Sequence, residues 1–341
     1  MPSGCWAGRR RGTVAGVTTS AAPAPPAAAE KQDSTLTVLI AFGANALVAV
    51  AKTIAAVLTG SASMVAESAH SWADTGNEVF LYIAERRSDR MRDEDHPRGY
   101  GKEAYVWSLF AAVGLFTVGA VVSVMHGVQQ LFELERDADY TINYIVLALA
   151  ALLEGFSFLQ AFRQARSAAT RRKVGTLHHV LETSNTTLRA VFFEDAAALI
   201  GLVIAFLGVL LHQLTGNAAF DAAGSILVGA LLGVVAIVLI DRNRRFLVGQ
   251  VADDEVEAIV LAALLQQPEV ERVTYIHLEF VGPEEFYLVA AVDLKGNDRE
   301  QDVAEDLRAA ALEIEKSPYI TEAVLTLALK NEPSLPAPPG S

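Results

Sequence analysis

Residues 61–80, SASMVAESAHSWADTGNEVF, constrain the fold more than any other stretch of the chain. Placed on a helix at about 100° per residue, Glu67, His70, Asp74, Asn77 and Glu78 share an arc of about 100°. Ser63 and Ser71 lie on or beside that arc, and Val65, Ala69, Trp72, Ala73, Val79 and Phe80 cover most of the remaining surface. An amphipathic helix of a soluble core shows the same pattern, so the surroundings must decide. The 341 residues are 52% hydrophobic, which is apolar for a soluble protein. Inside a bilayer ionisable groups are expensive, and a wet helix face there points at a partner helix or a water-filled path.

Six stretches have the length of membrane spans: residues 35–58, 63–83, 103–131, 142–162, 187–211 and 220–240. The first carries Lys52 as its only charge, beside Asn45, and the fourth holds Glu154 near its middle. Basic residues follow the second span (Arg86, Arg87, Arg90, Arg92), the fourth (Arg163, Arg166, Arg171, Arg172, Lys173) and the sixth (Arg242, Arg244, Arg245). The opposite loops hold only Arg136, in an acidic turn at 133–139. The positive-inside rule therefore puts both termini in the cytoplasm or its topological equivalent.

Residues 1–34, rich in Ala, Pro, Gly and Ser, read as a disordered tail. The AAPAPPAAAE stretch offers no apolar core for a secretory signal, whereas the acid-free, Arg- and Ser-bearing start also suits an organelle transit peptide. Of these settings a bacterial plasma membrane is expected ahead of an organelle. From residue 249 the pattern changes. Residues 253–267 form an amphipathic helix opening on acids, 273–280 and 286–294 are strands about a GPEE turn, 299–315 is a second helix and 320–329 a third strand. The expected architecture is a membrane all-α six-helix transmembrane domain (35–247) plus a small cytoplasmic α+β domain of αββαβ order (248–331), with a loose tail at 332–341. The formal charge of −13, with acids dominating the last third, argues against a nucleic-acid partner. Cys5 is the sole cysteine, so neither an intramolecular disulfide nor a multi-thiolate metal site within one chain is possible.

A second polar cluster sits in the fifth span, RAVFFEDAAALIG, where Glu194 and Asp195 need a cation, a proton or a partner helix. His70 and Asp74 are one helical turn apart and can reach one ion. One imidazole with two or three carboxylates can enclose a small divalent cation, and that donor set suits zinc or a neighbouring transition metal.

His70-Ser-Trp-Ala-Asp74 after GSASMVAES, then His96-Pro97-Arg98-Gly99-Tyr100-Gly101-Lys102-Glu103, six spans and a C-terminal α+β domain together resemble the cation diffusion facilitators over residues 35–331. Glu194-Asp195 and the His-Pro-x-Gly-Tyr-Gly loop look more like the mitochondrial zinc-transporter-nine branch. The resemblance implies a homodimeric secondary transporter in the lipid bilayer that moves divalent metal ions out of the cytoplasm, zinc first, by alternating access and in exchange for protons. Manganese or iron as cargo, or a non-transporting membrane scaffold, are the alternatives. An enzyme is not expected: the His-Glu-x-x-His motif of zinc proteases is absent, and no cofactor is implied.

Carried over residue by residue, the resemblance puts the metal site on His70 and Asp74 of the second span and Asp195 of the fifth. The family's usual fifth-span His falls on Val191, and Glu194 is expected to substitute, giving a more oxygen-rich shell. A second family site in the following loop retains His96 but has Tyr100 for its partner, so His96 is expected to be structural. His277 is the only His of the C-terminal domain, which is expected to dimerise rather than sense metal. His178 and His179 are expected in a solvated loop, and His126 and His212 near the far side. Glu154 is expected either to serve function, by relaying protons or pairing with Lys52, or to be a buried Glu hydrogen-bonded to a neighbouring helix, and the two readings stand level.

Overall fold

A computed structural model describes residues 30–132, 140–296 and 299–336. The bulk of the N-terminal tail, the acidic turn at 133–139 with Arg136, and the end of the C-terminal tail lie outside the described residues. Helix α1 (Glu30–Thr59) begins inside the stretch expected as tail.

Long apolar segments leave the backbone no water to bond, and the helix satisfies every peptide group internally. That produces α1, α2 (Ala62–Ser88), α3 (Glu103–Ala111) and α4 (Thr117–Gln130), α5 (Thr141–Arg171), α7 (Thr186–Thr215) and α8 (Ala219–Val248). A π-helical turn, Ala112–Phe116, joins α3 to α4 into one span and sets Leu115 against Gly76, where a Cβ would meet it at 2.9 Å. Helices α1, α3–α4, α5, α7 and α8 are long and apolar enough to cross a membrane. Helix α2 is not, because its polar face removes the hydropathy. It nevertheless packs against α1, α3, α4, α7 and α8, at the centre of the bundle. Large side chains such as Leu152, Phe156 and Ile237 stand about 70% exposed around the outside (70%, 73% and 68%), a surface suited to lipid. The chain is an integral membrane protein.

A short helix, α6 (Thr176–Glu182), interrupts the loop between α5 and α7. It buries His179, which the sequence had suggested would be solvated. Burial, reinforced by Arg172 and Arg171, pushes the His179 imidazole below its ordinary range.

The C-terminal domain runs α9 (Asp254–Leu265), β1 (Val270–Gly282), β2 (Glu285–Leu294), α10 (Glu300–Ile314) and β3 (Ile320–Leu327). The sheet order is β1-β2-β3. The hairpin β1–β2 is antiparallel, with Leu278 opposite Leu288, while α10 provides the crossover that lets β3 run parallel to β2, with Leu288 opposite Ala323. Alternate residues of the strands, among them Leu278, Leu288 and Val292, meet Leu264 of α9 and Ile314 of α10 in one core.

The loop between α2 and α3 holds this domain. Lys102 Nζ donates to Glu279 Oε1 at 3.0 Å, Arg92 donates to the Thr321 carbonyl at 3.0 Å, and the Arg98 guanidinium lies 4.2 Å above the Tyr287 ring.

Candidate functional site

Helix α2 is turned inside out relative to a soluble helix. Glu67, His70, Asp74 and Asn77 are 0%, 1%, 9% and 2% exposed, whereas Trp72 and Val79 face outward at 48% and 44%. Its N-terminus is fixed at the far end of the bundle. Ser61 accepts from the Met64 amide as N-cap, and the buried Asp221 of α8 accepts from Ser61 Oγ (2.9 Å), the Ala62 amide (2.7 Å) and the Ser63 amide (3.2 Å). A carboxylate at a helix N-terminus meets both the free amides and the positive end of the dipole.

From that anchor the polar face runs down the helix. His70 Nε2 lies 3.4 Å from Asp74 Oδ2. Neither nitrogen of the His70 ring has a hydrogen-bond partner, and Ser71 Oγ, Asp74 Oδ1, Asn77 Nδ2 and Glu194 Oε1 are also buried without one. Glu194, Glu154, Lys52 and Asp195 lie near enough for their charges to act on Asp74. The two sequence-expected clusters therefore face each other across α2 and α7. Asp195 is held by α5, whose Ser157 Oγ donates to its Oδ2 at 2.8 Å. Val191, one turn earlier on α7, offers no donor atom. Among the described residues, no three His, Cys, Asp or Glu side chains already converge on one point as a closed metal site.

Around the expected ligands lies a supporting ring. Lys52 Nζ donates to Glu67 Oε2 at 2.9 Å and stands 3.6 Å from Glu154 Oε1, so Glu154 pairs with Lys52 across α1 and α5. Asn45 Nδ2 donates to Glu78 Oε1 at 2.7 Å. Sequence reasoning missed Ser157 and Asp221. Ser157 follows Glu154 by three residues on the same helix face, a spacing that signals it. Asp221 sits in the first turn of its own helix, a placement that disguises its use as a cap for another.

Two of the secondary positions, His96 and His212, make local contacts. The His96 amide donates to Asp93 Oδ1 (2.8 Å), its ring stacks on Tyr100 at 4.2 Å, and Tyr100 Oη donates to Asp93 Oδ2 (2.7 Å). The Tyr100 hydroxyl, with the His96 amide, holds the Asp93 carboxyl below its usual range. His212 is buried against Tyr140, whose hydroxyl lies 3.0 Å from Nδ1. A cavity of about 660 Å³ lies elsewhere, between α6 and the C-terminal domain, lined by Arg172, His178, Asp253 and Tyr319 among others.

Buried imidazole and carboxylate groups inside a multi-span membrane bundle mark a functional site. Residues 38–248 match the family described as the cation efflux transmembrane domain, and the chain belongs to that family. It is 36% identical over 233 residues to metal tolerance protein C4 of Arabidopsis thaliana, covering 68% of this chain and 51% of that protein. It is 32% identical over 259 residues to the human mitochondrial proton-coupled zinc antiporter SLC30A9, covering 76% of this chain and 46% of that one. Zinc transporter ZitB of Escherichia coli is 24% identical over 245 residues, 72% of each chain. The chain thus spans about half the length of the first two relatives.

Proposed function

We propose that the protein is a secondary carrier of divalent metal cations, zinc first, which exports them from the cytoplasm in exchange for protons. The observation that carries this reading is His70: an imidazole 1% exposed with neither ring nitrogen hydrogen-bonded, its Nε2 3.4 Å from Asp74 Oδ2 and the ring across from the α7 carboxylates. A buried polar group left without a partner is costly, and an arriving cation supplies one. The ion is the substrate, bound by His70, Asp74, Asp195 and Glu194. Its ligands must be a neutral imidazole and ionised carboxylates, so loading releases protons and unloading takes them up. Asp195 is tied to Ser157, so loading moves it toward α2, and rocking of the helices then exposes the site to one side at a time. The basic ends of the spans lie on the side of the C-terminal domain, as Lys102–Glu279 and Arg172–Asp253 show, which supports a cytoplasmic placement of both termini. The C-terminal domain serves as the dimerisation unit of a homodimer.

Manganese or iron remains the second reading, favoured by the carboxylate-rich donors and the Val191 position. Purified protein in liposomes, loaded against a pH gradient with zinc, manganese, iron or cobalt, tests both readings. Flux of zinc is expected, abolished by Asp74→Ala and by Asp195→Ala and retained by His178→Ala. Normal flux in both aspartate variants would refute the site, and no flux of any ion in the parent protein would leave the scaffold alternative standing.

A further inference from the structure

Lys52 is wholly buried beside the proposed site, yet it is a cation next to a cation's path. Its ammonium binds Glu67 of α2 at 2.9 Å and approaches Glu154 of α5 at 3.6 Å. Glu67 precedes His70 by three residues on the same inward face. Its second oxygen, Oε1, is buried without a partner and lies against α7 at Gly201, where a Cβ would come within 2.5 Å of it. Two further carboxylates are therefore within the same four-helix interior as the expected ligands, and one ammonium engages both.

We propose that Lys52 is a positioning and selectivity residue: a tethered internal cation that holds Glu67 and Glu154 out of the ion's coordination shell. This rests on the carrier reading above. With both carboxylates engaged, the ion meets one imidazole and a few oxygens, a small mixed shell of the kind zinc accepts. With Lys52 removed, Glu67 and Glu154 are free to enter. The shell gains oxygens and negative charge, which favours harder ions that take more oxygen ligands, binds all divalent ions more tightly and slows their release. A pair that merely fastened α1 to α2 would affect stability and the amount of folded protein, but not the order of metals.

Liposome flux with zinc and manganese separates the two. For Lys52→Met, the zinc KM is expected to fall about tenfold on loss of one nearby unit charge, with Vmax falling as well. The manganese-to-zinc ratio of Vmax/KM is expected to rise about tenfold. Neutralising the partner too, in Lys52→Met/Glu67→Gln, is expected to bring KM and the metal ratio back toward the parent values. Glu67→Gln alone, which leaves the ammonium underpaired, is expected to raise the zinc KM, and it serves as the reporter if Lys52→Met does not fold. Unchanged KM and metal order in Lys52→Met, or an unchanged KM in Glu67→Gln, overturns the inference while leaving the carrier reading intact. Absence of zinc flux in the parent protein overturns both.

Discussion

At the scale of single residues, a buried polar group is tolerated where a distant residue completes it. Asp221 is such a case. It is 0% exposed and lies 160 residues from Ser61, yet its carboxylate takes the hydroxyl of Ser61 and the amides of Ala62 and Ser63. Asp221→Ala strips these donors of their acceptor in a site closed to water, and a loss of about 2–3 kcal/mol is expected. Asp221→Asn, which keeps one acceptor oxygen, is expected to lose less. Denaturant unfolding in detergent reads both. His179 gives a pH counterpart. Burial lowers its folded pKa below the unfolded one, so below the ordinary imidazole range the unfolded chain binds the proton more readily. Stability contributed by the neutral ring is present above the unfolded value and is lost as pH falls toward the folded value. Subtracting the melting curves of His179→Gln from those of the parent between pH 8 and 5 should isolate that slope; a pH-independent difference would contradict it.

At the scale of elements, α2 shows both what the sequence discloses and what it withholds. Its inverted amphipathicity was legible from spacing alone, because residues 67, 70, 74 and 77 return to one face at the helical period. Its status as a span was legible from its length and its place between the other spans, not from hydropathy, since the polar face that makes it useful also removes its apolar signal. What earns α2 its central place is contact with neighbours, and those contacts need close approach. A Cβ on Gly224 would stand 2.4 Å from Ser63 Oγ, and one on Gly208 would stand 2.8 Å from it. Gly224→Ala is therefore expected to cost about 1–3 kcal/mol by overpacking. Since the atom in the way is a single hydroxyl, Ser63→Ala in the same chain should recover part of that loss, and a strictly additive double mutant would show that the crowding lies elsewhere. The αββαβ order of the C-terminal domain was likewise legible, by alternation and turn residues, although β1 extends from Val270 to Gly282, beyond the 273–280 expected, because irregularities in its pairing hide the period. Helix α6 and the π-helical turn left little local signature: α6 has only seven residues, too few for a period to show, and the turn rests on one extra residue in a helical turn.

At the scale of the whole molecule, the question is how a membrane bundle and a soluble sheet are kept in register. The loop after α2 is the joint, since it leaves the helix that carries His70 and Asp74 and touches the sheet within a few residues. Its tightest point is not a charge. A Cβ on Gly101 would lie 2.5 Å from the Gly282 Cα and 2.7 Å from both the Val281 carbonyl and Glu285 Oε2. Backbone against backbone cannot yield as a side chain does, so Gly101→Ala must lift the loop off the β1–β2 turn. Glu285 is half-buried there, and its burial, with Asp89 nearby, pushes its carboxyl above the usual range. The Lys102–Glu279 pair flanks the same seam, but with 36% and 23% of the two side chains exposed it is worth at most about 1 kcal/mol. Hydrogen exchange should rank the two contributions. Amides of residues 279–285 are expected to exchange about tenfold faster in Gly101→Ala, equivalent to about 1.4 kcal/mol of local protection. They should change several-fold less in Lys102→Gln. The reverse order, with the lysine variant loosening the turn and the glycine variant leaving it closed, would mean that charge rather than shape seats the sheet beneath the bundle.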